Sequence, residues 1–192
     1  MSPAETTRQK IVLDIAELPA IVAKYRKAGK KIVLTQGSFD MVHIGHARYC
    51  QKASEYGDIL IVGVDSDEKV RSRKGPDRPI VPQAERLEML TYLSSVDLVV
   101  LKDEKAAKWA YIKAVKPDVL VATKETYTPE KIKALQAWCG KIVVLEPMAT
   151  TSTSAKLRRM QIGAAKKISD TMSQKLIKTI EDFLEELREE AA

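Results

Sequence analysis

The sequence predicts an α/β fold: a doubly wound, parallel, five-stranded sheet with an added C-terminal helix. Three observations carry this. Short apolar runs rich in β-branched residues alternate with segments of helical periodicity. Each run is apolar along its whole length, as expected of a strand covered on both faces. The runs are too far apart in sequence for hairpins, and right-handed crossovers then place helices on both sides of the sheet. A length of 192 residues fits one domain with an appendage.

The elements follow in order. Asp14-Ile-Ala-Glu17 reads as a helix cap with an acidic first turn, and the helix is predicted to run to Ala28, with Gly29 as its stop. Lys31–Thr35 is the first predicted strand. Ile44–Tyr56 reads as a helix closed by Gly57, and Ile59–Val64 as the second strand. Pro82–Leu93 is predicted helical and Val96–Leu101 is the third strand. Glu104–Val115 reads as a helix, and Pro117-Asp118 leads into a fourth strand, Val119–Ala122. Pro129–Trp138 is predicted helical, Gly140 stops it, and Ile142–Leu145 is the fifth strand. Open parallel sheets bind ligands beyond the carboxyl ends of their strands. The loops after Thr35, Val64, Leu101, Ala122 and Leu145 are therefore the places to search.

The tail, from about Ala164 to Glu190, carries Met172, Leu176, Ile180, Phe183 and Leu187 at helical spacing, with acidic residues elsewhere. The stripe is expected to pack on the body or on a second subunit, which makes a homodimer the expected assembly. The predicted division is a domain over residues 1–162, with a helical lead-in at 14–28, and an amphipathic extension over 163–192.

Composition narrows the function. Apolar residues are 45% and charged residues 30%, a globular balance that excludes a collagenous or mainly disordered chain. No apolar run reaches the roughly 18 residues of a membrane span. The start, MSPAETTRQK, has no apolar core of a secretion signal. Cys50 and Cys139 are too few for a disulfide scaffold and fit a reducing, cytoplasmic setting. The net charge of +6 is uneven: residues 170–192 hold three basic and seven acidic residues, leaving a basic body. Such a body suits an anionic partner. Aromatic residues are only 5%, which argues against a stacking platform for nucleic acid. The acidic tail disfavours an anionic membrane. A small phosphorylated ligand is the expected partner.

The most informative stretch is Thr35-Gln-Gly-Ser-Phe-Asp-Met-Val-His-Ile-Gly-His46, leaving a buried strand and entering a helix. Gly37 is expected to let the chain turn sharply. A helix starting near Ile44 offers unpaired N–H groups and the positive end of its dipole, a ready phosphate site. His43 and His46, the two histidines of the chain, lie three apart, and Gly45 between them adds no bulk. Two imidazoles can donate to phosphate oxygens and stabilise charge developing there. Two other readings stand beside this one: a purely structural pair, or a zinc site completed by Cys50 and Asp40. Asp40 reads as a turn-fixing carboxylate and Phe39 as a side chain packing the turn. Downstream, Arg71-Ser-Arg-Lys-Gly-Pro-Asp-Arg78-Pro79 reads as a basic, mobile loop. Thr150-Thr-Ser-Thr-Ser154 supplies hydroxyls suited to capping a following helix.

The segment Gly37–His46 resembles the signature of the cytidylyltransferase-like nucleotidyltransferases, which share an HxGH turn. Val64-Asp-Ser-Asp67, Lys74-Gly75 with Arg78-Pro79 and Glu85-Arg86, Lys116-Pro-Asp-Val-Leu-Val121 and Ser152-Thr-Ser154 resemble further motifs of that family in the same order. Residues 11–31 also resemble the lead-in of bacterial heptose 1-phosphate adenylyltransferases. The resemblance implies a Rossmann-like sheet. It implies transfer of a nucleoside monophosphate, AMP favoured, from ATP or CTP to a sugar phosphate such as a heptose 1-phosphate. Pyrophosphate is released, and Mg²⁺ accompanies the nucleotide without dedicated protein ligands.

By the same resemblance, His43 and His46 grip the triphosphate, and Lys74 and Arg78 hold acceptor or pyrophosphate charge. Gln36, Gly37, Ser38, Phe39, Gly45, Asp67, Lys124, Ser152, Thr153 and Ser154 are the implied nucleotide contacts, with Arg158 adding charge. Arg86 is expected either to reach the same site or to pair with Glu85 or Glu88. Two departures stand out. Ala122-Thr-Lys-Glu-Thr-Tyr127 lacks the glycines of the matching family loop, and Ser38 stands where similar enzymes often carry cysteine. Two alternatives remain at this point: a cytidylyltransferase acting on glycerol 3-phosphate or another phospho-alcohol, and a non-catalytic nucleotide-binding module with the tail as its partner helix.

Overall fold

The computed structural model describes residues 9–123, 127–146, 148 and 153–190. The chain forms two units, residues 1–150 and residues 151–192. In the first, the strands are β1 (Ile11–Val12), β2 (Ile32–Gly37), β3 (Ile59–Asp65), β4 (Leu98–Lys102), β5 (Val119–Thr123) and β6 (Lys141–Leu145). The helices are α1 (Leu18–Lys27), α2 (Ile44–Ser54), α3 (Asp67–Lys74), α4 (Gln83–Thr91), α5 (Ala110–Val115) and α6 (Pro129–Leu135). The second unit is a single helix, α7 (Thr153–Glu190).

All paired strands are parallel, in the order β1-β4-β3-β2-β5-β6. The α/β class is as predicted, with six strands rather than five. The added strand, β1, is two residues long, too short to show a period. It forms because the Val99 N–H donates to the Lys10 carbonyl at 2.7 Å, while Lys10 Nζ reaches the Val96 carbonyl at 2.9 Å.

Both faces of the sheet are covered, which is why the strands read as unbroken apolar runs. On one face Ile32, Leu34, Ile61, Val100 and Leu120 pack with Leu18 and Val22 of α1 and with Ile112 and Val115 of α5. On the other, Val33, Val62, Val64, Val99 and Val121 pack with Cys50 and Ala53 of α2 and with Leu87 and Leu90 of α4. Each such leucine contributes roughly 1.5–3 kcal/mol by leaving water.

Local chemistry explains where the elements depart from expectation. The lead-in helix begins later than Asp14. The Asp14 carboxylate accepts from the Ala16 N–H at 2.9 Å and fixes a 3₁₀ turn, Ile15–Glu17, ahead of α1. The helix predicted from Glu104 shrinks to α5. The Asp103 side chain takes the Lys105 N–H at 2.8 Å, a local turn that competes with helix, and Trp109 enters with φ 64°. Helix α3 stands where the sequence suggests the start of a basic loop. It buries only Val70, so it shows no apolar period, and the expected loop is helical through Lys74. Its signals are polar: Ser66 caps the Lys69 N–H, acids open the helix, and Arg71, Arg73 and Lys74 close it. The unbroken α7 replaces a short capped helix followed by a separate tail. Its Met172, Leu176 and Ile180 side chains are exposed.

The chain steps from β2 through β3 to β4 on one side, then returns to place β5 and β6 on the other. The switch point therefore lies between β2 and β5, where doubly wound sheets bind ligand.

Candidate active site

The loop from Ser38 to His43 leaves β2 and enters α2 at this carboxyl edge. Gly37 does not make the sharp turn expected of it. Phe39 (φ 49°) and Met41 (φ 51°) carry the left-handed backbone instead. A Cβ on Gly37 would lie 3.1 Å from Phe39 Cε2, so the glycine makes room for the phenyl ring. That ring is buried, and its centroid lies 5.5 Å from the His46 ring. Phe39 thus packs the turn and braces a histidine.

Asp40 anchors the loop from below. Its side chain is 2% exposed, and its carboxylate accepts from the Ile80 N–H at 3.1 Å, the Val81 N–H at 3.0 Å and Arg78 Nε at 2.8 Å. Arg78 Nη2 adds an ion pair at 2.6 Å. Burial pulls the carboxyl pKa up, but the Val81 and Ile80 N–H groups and Arg78 pull it down further, leaving it below the ordinary aspartate value. Asp40 is therefore the turn-fixing carboxylate the sequence implied, and Arg78 is its partner.

The two histidines cap α2 with their own rings. His43 Nδ1 accepts from the Gly45 N–H at 3.1 Å, and His46 Nδ1 accepts from the His43 N–H at 3.3 Å. Together they form a capping box, with ring centroids 4.2 Å apart. A ring nitrogen that accepts an N–H bond carries no proton, so each neutral imidazole holds its proton on Nε2. The cap thus presets two ring donors at the positive end of a helix.

Cys50 cannot complete a zinc site. It is fully buried in the apolar cluster beneath α2, and burial pushes its thiol up to about 12. Among the described residues no group of three or more His, Cys, Asp or Glu side chains is placed to hold a metal.

Among the described ion pairs Arg86 meets Asp67 and neither Glu85 nor Glu88. Its fully buried guanidinium donates to the carbonyls of Ser38, Val81 (2.9 Å) and Asp65 (2.8 Å), and to Asp67 Oδ1 at 2.8 Å. It pins the loop after β2 to the loop after β3. Asp67 is further held by its own N–H, which donates to Gln83 Oε1 at 2.9 Å. At the end of α3, partial burial and the neighbouring Arg78 and Arg73 pull the Lys74 ammonium below its usual pKa. Arg73, Lys74 and Arg78 thus gather as cations beside the histidine loop.

A further cluster joins Gln36, an expected nucleotide contact, to Asp65 and Lys102, to which the expectations from sequence assign no role. Asp65, 1% exposed, accepts from Lys102 Nζ at 2.8 Å through Oδ1 and from Arg73 Nη1 at 2.7 Å through Oδ2. Gln36 Nε2 is buried and has no hydrogen-bond partner among the described residues. Of the other expected contacts, Lys124 and Ser152 lie outside the described residues. Thr153 and Ser154 open α7, with side chains outside the description.

Comparison with known proteins agrees with this geometry. Residues 34–172 match the cytidylyltransferase-like family model. The chain is 48% identical over 113 residues to the bifunctional protein HldE of a Nitratiruptor species, covering 59% of this chain and 24% of that protein. It is 35% identical over 158 residues to the HldE of Geotalea uraniireducens, covering 81% of this chain and 32% of that protein. It therefore spans about a quarter to a third of the length of these relatives. Among solved structures, a lipopolysaccharide core biosynthesis protein from Thermoplasma volcanium superposes with a TM-score of 0.55 at 26% identity, covering 62% of this chain and 98% of that one. A pantoate-beta-alanine ligase from Francisella tularensis shares the fold, with a TM-score of 0.56 at 17% identity, covering 75% of this chain and 68% of that one. A switch-point loop ending in a histidine-capped helix, within a match running from β2 into α7, places this chain in the cytidylyltransferase-like family of nucleotidyltransferases.

Proposed function

We propose that the chain transfers AMP from ATP to a sugar phosphate of the heptose 1-phosphate type, releasing pyrophosphate. The observation that carries this reading is the histidine cap of α2, with both Nδ1 atoms engaged by backbone N–H groups. The match to HldE proteins over most of this chain, and the lipopolysaccharide-related neighbour, support the acceptor class.

The chemistry needs little from the protein beyond placement. An oxygen of the acceptor phosphate attacks the α-phosphorus, a new O–P bond forms, the bond from the α-phosphorus to the bridging oxygen breaks, and pyrophosphate departs. A phosphate dianion is already a competent nucleophile, so no general base is required. Rate comes from alignment and from donors aimed at the charge moving onto the leaving group. His43 and His46 supply Nε2 donors there, and the first turn of α2 adds its amides. Lys74 and its neighbours hold the remaining phosphate charge. A magnesium ion arriving with the nucleotide would neutralise phosphate oxygens. Asp40, Asp65 and Asp67 each already face an arginine or lysine, so the fit is to an ion carried by substrate rather than by a carboxylate cage.

The test is a pyrophosphate-release screen of four nucleoside triphosphates against a panel of sugar and polyol phosphates. ATP with a heptose 1-phosphate should give the highest kcat/KM. A clear preference for CTP with glycerol 3-phosphate would replace both the base and the acceptor. Nucleotide binding without release at high enzyme concentration would identify a binding module instead.

A further inference from the structure

We propose that Lys102, Asp65 and Gln36 form a recognition site for the hydroxyl groups of the acceptor sugar, a role no relative's name assigns. The proposal deepens the transferase reading above and rests on it for the word acceptor.

The register brings the three side chains together. Gln36 pairs with Gly63 across β2 and β3, and Asp65 pairs with Lys102 across β3 and β4. Residues two apart on a strand share a face, so Gln36, Asp65 and Lys102 share one face of the sheet at its carboxyl edge. That face also carries Leu34, Ile61 and Val100, and it is opposite the one on which α2 packs.

Gly63 makes the arrangement possible. A Cβ there would lie 2.8 Å from Lys102 Cδ and 3.2 Å from Gln36 Cγ. The missing side chain lets the lysine stem cross β3 toward the glutamine.

The cluster carries donors that no described residue uses. Lys102 is nine-tenths buried, and among the described residues its ammonium has a single hydrogen-bond partner, Asp65 Oδ1. An ammonium has three N–H donors, so two remain. The Gln36 amide nitrogen is buried without a partner among the described residues. A buried donor left without a partner is destabilising, a penalty that a ligand can remove.

The mix of groups selects the ligand. Ammonium and amide donors stand next to a carboxylate. A hydroxyl both donates and accepts, so adjacent hydroxyls match this set of donors beside an acceptor. Position selects which substrate bears them. The switch point lies between β2 and β5, and Asp65 and Lys102 stand on β3 and β4, on the other side of β2. The nucleotide takes the first place and the acceptor sugar the second.

Two measurements on the full chain test this. In steady-state turnover with ATP and heptose 1-phosphate, Lys102→Met should raise KM for the acceptor by about 10–100-fold, the loss of charged hydrogen bonds. KM for ATP should hold, and kcat should change little. The double variant D65N/K102M, which removes both charges together, should fold and show the same defect. An unchanged acceptor KM, or an equal rise in KM for ATP, would overturn the proposal.

The second measurement needs no turnover. With ¹³Cε-labelled lysine, the Lys102 signal, assigned by its loss in Lys102→Met, should move on adding heptose 1-phosphate or mannose 1-phosphate. It should stay in place with ATP alone or inorganic phosphate alone. Movement with ATP or inorganic phosphate alone, or no movement with any sugar phosphate, would mean the pair does not read an acceptor. If no acceptor supports pyrophosphate release, the transferase reading fails by itself, and this signal still decides whether the cluster binds a phosphosugar.

Discussion

Arg86 donates to the carbonyl of Ser38, joining a fully buried guanidinium in α4 to the loop that carries the histidines. The same side chain holds the Asp65 carbonyl and the Asp67 carboxylate, so the loops after β2 and β3 share one support. A support of this kind acts on catalysis through position.

Arg86→Met should therefore destabilise the fold by about 3 kcal/mol, because Asp67 and three carbonyls lose their donor in the interior. Arg86→Lys keeps the charge but not the planar fork, so it should recover only part of the loss. Urea unfolding midpoints check both.

Asp40 gives a pH signature. Its folded pKa lies below the unfolded value of about 3.9. Its contribution is thus fully present at neutral pH and fades as pH falls through the lower, folded value. Asp40→Asn should cost about 1–3 kcal/mol at pH 7. The gap between variant and wild type should close below the ordinary aspartate range. Unfolding midpoints measured from neutral pH down to strong acid test the sign.

The histidine cap makes two effects separable. His46→Ala should cut kcat by about 10²–10³, the loss expected on removing one oxyanion-type donor. His43→Ala should do the same and lose the N-cap bond to Gly45, about 1 kcal/mol, while His46→Ala loses the other half of the capping box. His43→Asn can restore the cap without the imidazole. It should recover stability and leave turnover low, as thermal melting and pyrophosphate release would show.

Gly37 tests the packing beneath the site. Gly37→Val places carbon within reach of the Phe39 ring, which braces His46. The expected cost is about 1–3 kcal/mol of overpacking. Turnover should fall as well, since the His46 ring must follow Phe39. Unchanged kcat with lowered stability would mean that the brace is not functional.

The parallel sheet was legible because strands buried on both faces must be apolar throughout, and Val33, Val62 and Val121 show that rule directly. The histidine turn was legible because glycine, histidine and strand-to-helix context coincide between Gln36 and His46. Other features were not. Strand β1 has no period at two residues, and α3 buries only Val70. From the sequence Arg86 is expected to reach the site or to pair with Glu85 or Glu88, since nothing in a helical pattern says that a charged side chain turns inward to meet carbonyls. Lys102 lies one residue beyond the strand expected over Val96–Leu101, and no motif singles it out. Its partner, Asp65, lies 37 residues earlier and meets it only through sheet register.

The central claim is that the paired imidazoles and the first turn of α2 cradle a nucleoside polyphosphate. A crystal soaked with ATP or CTP measures it most directly. The account predicts phosphate oxygens within hydrogen-bond distance of Nε2 of both His43 and His46. A nucleotide bound on another side of the molecule, with this helix start vacant, would contradict it.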